Sequence, residues 1–369
     1  MNLSSTLERF FLESAPLAPG DRIVVGFSGG PDSTALLAGL AQFARHLPFN
    51  ILALHLDHGL DPGSAGRAAA AARLACRLGV PFVTERREVA ALCRPGESLE
   101  VAGRRMRYER LASIGRETGA RYTATAHHRD DQAETVLLRL LFGSGLTGLA
   151  GIRPVTPGAP ATPGTPGTPT LVRPLLDVPR SALLAAVAAA GLEPADDPTN
   201  RDLSLPRNRL RHRLLPELAA ADPGLTERLA RLAARAAGAG RRIEAVVDRV
   251  LAHRSDADAD AAPISIPRRA FAGLPAPLQP FALAALHRRA GAPYPASSAA
   301  RAELLRQLTR PGRIGCDCGG GWRWEGRREK RRQEDGERLA LVPPPGGASR
   351  RAAPCGFTYT FQSRQGSPR

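Results

Sequence analysis

The chain has 369 residues, of which 43% are hydrophobic and 23% are charged. A chain of this size and composition buries a large core, so we expect a soluble globular protein of two or three domains. No apolar run approaches the roughly 20 residues needed to cross a bilayer, and the first residues lack a basic region followed by an apolar one. We therefore expect no membrane association and a cytoplasmic location.

The formal net charge is +16. Cationic surfaces gain affinity for polyanions by neutralising phosphates and releasing counterions, so a nucleic acid is a candidate partner. Arginine supplies nearly all of the positive charge, since Lys330 is the only lysine. The alternative is a compositional bias, because Ala, Arg, Gly and Pro are abundant along the whole chain.

The first half of the chain alternates short apolar runs with Ala- and Leu-rich stretches. Strands are predicted at 22–28, 51–57, 81–89, 121–127 and 171–176, and helices at 33–45, 66–78, 101–118 and 130–142. This alternation predicts an α/β fold with a Rossmann-like, doubly wound parallel sheet. A Pro-, Gly- and Thr-rich segment at 155–170 interrupts the pattern, and we expect a mobile surface loop there.

From Ser181 onward the periodicity is mainly helical, and a Gly- and Arg-rich stretch around Trp322 and Trp324 predicts a small C-terminal hairpin. We divide the chain into an α/β catalytic domain at 1–205, a helical domain at 206–300, a small α/β segment at 301–345 and a poorly ordered tail at 346–369.

The first predicted strand runs directly into Ser28-Gly-Gly-Pro-Asp-Ser33, which opens a helix. Small residues let backbone amides approach phosphate oxygens, and the helix dipole favours an anion. The loop lacks the Gly-Lys-Ser/Thr ending of ordinary nucleoside triphosphatases. It resembles the loop of the pyrophosphate-loop ATPase superfamily, whose fold is of the adenine nucleotide alpha hydrolase type. The alternative is a glycine turn without a ligand.

Members of that superfamily split ATP between the α- and β-phosphates and transfer the adenylyl group to a substrate oxygen. The resemblance implies that Ser28, Gly29, Gly30, Pro31, Asp32 and Ser33 bind ATP. Asp32 would be catalytic and would hold Mg²⁺. His55 and Asp57 end the next strand, where doubly wound sheets bind ligands, and are further ATP-binding candidates. Both residues would alternatively satisfy turn amides.

A second motif, Thr125-Ala-His-His-Arg-Asp-Asp-Gln-Ala-Glu-Thr135, resembles the tRNA(Ile)-lysidine synthetases. Asp131 and Glu134 stand three residues apart at a helix start, so they can present two carboxylates to one cation. We predict that both bind the lysine ammonium and that Asp131 then accepts or relays its proton. The alternative is that these acids cap the helix N-terminus. The neighbours His127 and His128 favour the functional interpretation.

Two more segments carry the resemblance. The helix around Glu100, Arg104, Arg107 and Tyr108 is similar to a family motif, although Gly103 replaces the usual alanine. We predict a catalytic role for Arg104 and tRNA binding for Arg107, with pairing to Glu100 as the alternative.

The segment 173–180, followed by 197–211, resembles the family's junction between the catalytic and helical domains. We predict that Arg207 is catalytic and that tRNA is bound by Asn208, Arg209 and Arg211. The alternative is a solvated arginine face. Pro206 stands where the family commonly has an aromatic residue, so arginines must carry the contact with RNA.

The resemblance implies a ligase that uses ATP and Mg²⁺ to join L-lysine to C2 of the wobble cytidine of tRNA(Ile) with a CAU anticodon. An adenylated tRNA is the intermediate, and AMP and pyrophosphate leave. Lysidine pairs with adenosine, so codon reading changes from AUG to AUA and identity from Met to Ile. The oligomeric state stays open, with a homodimer among the alternatives.

Two rival functions remain. A tRNA thiolation enzyme of the same superfamily needs cysteine chemistry, but the chain has no Cys-x-x-Cys, and neither Cys76 nor Cys93 lies beside a motif. Cys316 and Cys318 lack the additional ligands of a zinc site. A catalytically silent RNA-binding protein is the second rival, and the intact acidic and serine positions of the two motifs argue against it.

Overall fold

The computed structural model describes residues 2–59, 63–159, 167–195, 206–251, 264–294, 297–310, 314–328 and 337–344. The described residues form two compact units, one up to residue 237 and the other from residue 238 onward. Their boundary falls inside a long helix, whereas the sequence pattern places a boundary at 205/206. The tail predicted at 346–369 lies outside the described residues. Among the described helices, none is both long and apolar enough to cross a membrane.

The first unit is built on a six-stranded sheet. Its strands are β1 (Arg22–Gly26), β2 (Asn50–Asp57), β3 (Phe82–Arg86), β4 (Tyr122–Ala124), β5 (Val155–Thr156) and β6 (Thr170–Val172). The strand order is β3-β2-β1-β4-β6-β5, and every neighbouring pair is parallel except β5 and β6. The sheet grows outward in one direction from β1 to β3 and in the other from β4. This confirms the predicted doubly wound sheet and puts its switch point between β1 and β4.

Helices cover both faces of this sheet. The helices up to the end of this unit are α1 (Leu3–Glu13), α2 (Pro31–Phe43), α3 (Ser64–Arg77), α4 (Leu99–Glu117), α5 (Arg129–Leu141), α6 (Leu146–Leu149), α7 (Arg180–Ala189), α8 (Pro206–Arg209), α9 (Leu215–Ala221) and the first part of α10 (Leu225–Leu251). Successive side chains of β1 enter two different cores. Ile23 and Val25 pack in the cluster that contains α1, α2 and α7, whereas Val24 packs against Leu111 of α4. The continuous apolar run of β1 is therefore explained by burial on both faces.

Helix α1 is absent from the elements that we predict. Leu3, Leu7 and Phe11 recur at a spacing of four and are all buried. The side chain of Asn2 caps the helix by accepting a hydrogen bond from the Ser4 amide at 3.0 Å. The spacing and the cap are both visible in the sequence, so the helix was predictable.

The segment predicted as a mobile loop begins and ends in paired backbone. Thr156 pairs with Leu171 across β5 and β6, and the Thr168 amide donates to the Ala159 carbonyl at 2.9 Å. Residues 160–166, between these ends, lie outside the described residues. Strand β6 is shorter than predicted because Pro174 has no amide to donate to a neighbouring strand.

The second unit combines an antiparallel sheet with helices. Its elements are β7 (Ile264–Pro267), α11 (Arg268–Ala272), α12 (Gln279–Ala290), α13 (Ser298–Thr309), β8 (Gly315–Gly319), β9 (Trp322–Arg328) and β10 (Glu337–Val342). The order β7-β10-β9-β8 contains the predicted hairpin as β8 and β9. Strand β7 lies in a region where we predict mainly helix. Its Ile-Ser-Ile alternation places buried Ile266 opposite Leu339 of β10.

Candidate active site

The phosphate loop, residues 28–33, joins β1 to α2. Pro31 occupies the first turn of α2, where its missing amide costs nothing. Gly29 has a φ of +79°, and a Cβ there would lie 3.0 Å from the Cβ of Ala71. Only glycine suits this position. The hydroxyls of Ser28 and Ser33 lie 3.1 Å apart beside the helix start, so the loop has the small, hydroxyl-rich form that binds phosphate.

The second motif lies directly beside this loop because β4 is the neighbour of β1. Parallel strands end at the same edge of the sheet, so both motifs meet at the switch point. The His128 amide donates to Asp131 Oδ2 at 3.1 Å, and the Asp131 amide donates to His128 Nδ1 at 3.4 Å. This capping box starts α5. Asp131 therefore caps α5, which is the alternative role that we named, while its Oδ1 accepts hydrogen bonds from Arg207 and Arg211.

His128 joins the two motifs. Its Nε2 lies 3.6 Å from Asp32 Oδ2 and 3.4 Å from Asp131 Oδ2. Burial opposes protonation, but the carboxylates of Asp130 and Asp32 raise the pKa of His128 to about 9. These carboxylates favour the protonated ring, whereas the contact from the Asp131 amide requires an unprotonated Nδ1. Burial alone would raise the pKa of Asp32, but His128 and the Arg180 guanidinium lower it.

Asp131 and Glu134, the carboxylate pair, are already bound by two cations. Arg207 donates to Asp131 Oδ1 at 3.1 Å and to Glu134 Oε2 at 2.9 Å. Arg211 donates to Asp131 Oδ1 at 2.7 Å and to Glu134 Oε1 at 2.5 Å. Asp131 is 8% exposed and Glu134 is 1% exposed. We call these four residues the carboxylate–arginine cluster.

The electrostatics of this cluster favour the charged forms of Asp131, Arg207 and Arg211. Burial would raise the pKa of Asp131, but the charges of His128 and Arg207 outweigh burial and lower it. Burial likewise disfavours the Arg211 guanidinium, but its hydrogen bond to Glu134 raises its pKa. Both carboxylates accept hydrogen bonds from arginine, which is the geometry of a strong cation site.

The two arginines are held in place by a helix with an irregular turn. Helices α8 and α9 are joined by a π-helical turn, Leu210–Leu214, in which the Leu215 amide donates to the Leu210 carbonyl five residues back. Pro216 follows and has no amide to continue the ordinary ladder, which accounts for the irregularity. Leu210 and Leu215 pack against Ala133 and Val136 of α5, so Arg207 and Arg211 face the carboxylates.

The residues predicted to bind tRNA, and the predicted catalytic residue Arg104, have different surroundings. Arg211 lies on the carboxylate pair, while Arg209 of the same helix is exposed to solvent. Asn208 is half-buried. Arg107 lies on a different element, α4, where its Nη2 is 3.1 Å from His58 Nε2. Arg104 is exposed, with its Cζ 5.1 Å from the centroid of the Tyr108 ring.

The two other ATP-binding candidates have protein partners. His55 Nδ1 donates to the Phe27 carbonyl at 3.0 Å, and burial lowers the pKa of this ring. Asp57 accepts the Gly59 amide at 2.9 Å and the Ser64 hydroxyl at 3.1 Å. Both side chains therefore support the loops around the phosphate loop, which is the alternative that we named for them.

Sequence reasoning missed several residues of the site. Arg180 Nε lies 3.4 Å from Asp32 Oδ1, and the Arg180 amide donates to Asp130 at 2.9 Å. Gln132 holds both backbone groups of Ile152 and so anchors the chain after α6. Arg180 ends a motif that we quote from the sequence, so its position was a usable signal. Gln132 lies inside the second motif and favours its functional interpretation, but the motif does not reveal that its partner is the Ile152 backbone.

Residues 2–218 match the family model described as PP-loop domain. The chain is 41% identical to the tRNA(Ile)-lysidine synthase of Bradyrhizobium diazoefficiens, over 72% of this chain and 70% of that relative. It is 40% identical to the tRNA(Ile)-lysidine synthase of Symbiobacterium thermophilum, over 59% of this chain but only 44% of that longer relative.

The chain belongs to the tRNA(Ile)-lysidine synthase family. Members of this family are enzymes, and their PP-loop domain makes ATP a substrate. The structure of the U34-tRNA thiolase NcsA from Methanococcus maripaludis resembles this chain with a TM-score of 0.51 and 17% identity, over 63% of this chain and 76% of that one. At that identity the likeness shows the fold alone. It is the PP-loop fold that the lysidine synthase family shares.

Proposed function

We propose that this enzyme joins L-lysine to C2 of the wobble cytidine of tRNA(Ile) with a CAU anticodon, and that it acts in the cytoplasm. The cytidine C2 oxygen attacks the α-phosphate of ATP, and pyrophosphate leaves. The ε-amine of lysine then attacks C2, and AMP leaves. The product lysidine pairs with adenosine, which changes the codon from AUG to AUA and the identity from Met to Ile.

The observation that carries this proposal is the contact between a phosphate loop and a cation site through one buried histidine. His128 lies within 3.6 Å of Asp32 and 3.4 Å of Asp131. An enzyme that adenylates a base and then delivers an amine needs both sites at one reacting carbon. The arrangement therefore supports the two-step reaction better than ATP hydrolysis alone.

For the first step we assign the phosphate loop to ATP. Ser28, Gly30 and Ser33 would face the departing pyrophosphate at the start of α2, where the helix dipole favours its charge. Arg104 is an exposed cation of α4 and would act on the phosphate that is transferred. His55 and Asp57 lie near the end of β2, and we keep them as candidates for contact with ATP.

Asp32 is our candidate ligand for Mg²⁺. Its Oδ1 is buried and accepts no hydrogen bond from the described residues, and a metal ion there would replace or share the ion pair with Arg180. Among the described residues no group of three or more His, Cys, Asp or Glu could hold a metal. A Mg²⁺ ion here would take its other ligands from ATP phosphates and water, as this ion commonly does. When bound, it would neutralise charge on the phosphates.

For the second step we assign the carboxylate pair to the lysine ammonium. The pair already binds two guanidinium groups, which supports its role as a cation site. Lysine would enter by replacing the head group of Arg211, while Arg207 stays on Glu134 and reaches the reacting phosphate. The lowered pKa of Asp131 suits it to holding the cation more than to taking its proton.

We assign tRNA binding to the cations outside the carboxylate pair. Arg209 is exposed, Asn208 precedes it on the same helix, and Arg107 is an exposed residue of α4. Once displaced from the carboxylates, Arg211 would join them. A single helix would then contact both lysine and the RNA backbone.

The variant Asp131→Asn tests the proposal. It removes one charge from the carboxylate pair and keeps the side-chain shape. We expect tRNA-dependent ATP/pyrophosphate exchange to persist, while incorporation of labelled lysine falls about 100-fold, as for the loss of an ion pair worth roughly 3 kcal/mol. Purified tRNA, ATP and lysine suffice for both assays.

Asp21→Asn is the matched control. Asp21 also pairs with an arginine, Arg121, at 3.0 Å, but it precedes β1 at the opposite edge of the sheet. We expect both activities of this variant to stay near those of the unmodified enzyme. Normal lysidine yield from Asp131→Asn would refute the assignment, and absence of exchange from the unmodified enzyme would refute the adenylation step.

A further inference from the structure

Arg173 is a buried cation that the reaction described above does not use. It follows β6 directly and is 8% exposed. Its Nη1 donates to the Arg153 carbonyl at 2.7 Å and to the Thr156 hydroxyl at 3.0 Å. Its Nε is buried and has no acceptor. Part of the guanidinium is therefore fixed to the β5 segment, and part is left for another partner.

None of the described carboxylates pairs with this charge. In the described part of the chain, Arg173 makes no ion pair, whereas the equally buried Arg268 pairs with Glu337. The charged or titratable groups that act on Arg173 are Tyr108, which is hydrogen-bonded to it, and Arg104, which repels it. A buried charge without a counter-ion is costly, so this position favours an anion.

Arg104, Tyr108 and Arg173 form what we call the arginine–tyrosine cluster. The Arg104 guanidinium lies over the Tyr108 ring. Burial would raise the pKa of Tyr108, but the charges of Arg104 and Arg173 outweigh it and lower the pKa. The neighbouring His127 does not add an anion, because burial keeps its pKa well below the ordinary value and the ring stays neutral. The cluster is thus strongly electropositive.

The cluster lies at the edge of the sheet that carries the active site. Arg173 follows the carboxyl end of β6, the parallel neighbour of β4, and β4 leads into His127 and α5. Arg104 and Tyr108 come from α4, which packs on β1. Ligands of doubly wound sheets bind at this edge. A substrate bound at the switch point would therefore bring its phosphate groups to the arginine–tyrosine cluster.

We propose that Arg173, Arg104 and Tyr108 bind a phosphate group of a substrate, with Arg173 as the buried anchor. Arginine is suited to this role because its planar fork matches phosphate oxygens, and the Tyr108 hydroxyl is a further donor. The phosphate comes from one of two sources, ATP or the RNA backbone. The choice of these two sources rests on the function proposed above. The existence of the anion site does not.

The test measures binding without lysine and without turnover, on the full-length protein. The variants are Arg173→Gln, Arg173→Lys and Tyr108→Phe, and Arg268→Gln is the matched control because it also removes a buried arginine. Two titrations are made: ATP in the absence of tRNA, and tRNA in the absence of ATP at several salt concentrations. Circular dichroism establishes that each variant is folded.

We expect Arg173→Gln to weaken one of the two ligands about tenfold, as for the loss of a charge-assisted hydrogen bond. If ATP supplies the phosphate, the ATP titration changes and the tRNA titration does not. If the RNA backbone supplies it, tRNA affinity falls and the slope of log affinity against log salt decreases by about 1. Tyr108→Phe should weaken the same ligand roughly threefold, and Arg268→Gln should change neither.

Unchanged affinity for both ligands in folded Arg173→Gln would overturn the proposal. Arg173 would then only hold the β5 segment in place. If that variant does not fold, Arg173→Lys and Tyr108→Phe take its place, and unchanged affinities for both ligands in both variants would overturn the proposal equally. Failure of the lysidine assay would overturn the proposed function and leave the anion site intact.

Discussion

Two charged regions lie at the same edge of the first unit and differ in how their charge is balanced. In the carboxylate–arginine cluster, two carboxylates face two guanidinium groups, and each of Arg207 and Arg211 contacts both carboxylates. In the arginine–tyrosine cluster, Arg173 and Arg104 share only the hydroxyl and ring of Tyr108. The first region is complete in the free protein, and the second has no anion of its own among the described residues.

The difference indicates which kind of ligand each region accepts. A balanced ion cluster admits a new cation only by exchange, since an added charge must replace one already bound. An unbalanced cluster gains free energy from any anion that reaches it. Lysine should therefore compete with an arginine of the chain, whereas phosphate should bind without a competitor. Three substitutions break or sharpen this contrast.

Glu134→Gln should have the largest effect, because it leaves two arginines beside a single carboxylate. Glu134 is 1% exposed, and breaking a buried ion pair by removing one partner costs about 3 kcal/mol of unfolding free energy. Urea unfolding followed by circular dichroism measures the loss. Glu117→Gln, which removes the exposed partner of Arg110, should cost less than about 1 kcal/mol. Equal losses in the two variants would contradict a buried, paired cluster.

Arg211→Met should have an intermediate effect of opposite sign on lysine binding. With one guanidinium gone, the carboxylate pair has acceptors free for an ammonium, so the tRNA-free protein should bind lysine roughly three- to tenfold more tightly. Calorimetric titration with lysine measures the change. Arg209→Met, at an exposed position of the same helix, serves as the control and should leave lysine affinity unchanged. Weaker lysine binding by Arg211→Met would mean that Arg211 assists lysine instead of competing with it.

Arg209→Gln should have the smallest effect, on tRNA alone. An exposed arginine contributes one phosphate contact, so tRNA affinity should fall about threefold and the salt slope by about 1. Filter binding at several salt concentrations gives both values, with exposed Arg9→Gln of α1 as the comparison. A loss of lysine affinity in Arg209→Gln would show that the outer face of the helix is coupled to the carboxylate pair.

The elements that leave a pattern in the local sequence were predictable. Strand β1 was visible because it is a short apolar run that is buried on both faces and ends at a glycine. Strand β7 was not, since four residues at 264–267 become a strand only by pairing with β10, which lies far along the chain. Long-range pairing of this kind leaves little local signal.

The site was predictable in its residues but not in its pairing. The carboxylate pair follows from helical spacing, and the chain places Asp131 and Glu134 side by side as that spacing requires. Their partners Arg207 and Arg211 are more than 70 positions away, and a π-helical turn sets their direction. The lack of a described counter-ion at Arg173 was not predictable either, because the tertiary packing decides which carboxylates lie near a residue.

The most direct test of the two-region arrangement compares Asp131→Asn with Arg173→Gln in one set of titrations with lysine, ATP and tRNA. We predict a crossed result: Asp131→Asn weakens lysine and leaves the phosphate ligands unchanged, whereas Arg173→Gln weakens ATP or tRNA and leaves lysine unchanged. If both substitutions weaken the same ligand, the two regions are one site, and the division of labour between cation exchange and phosphate binding is wrong.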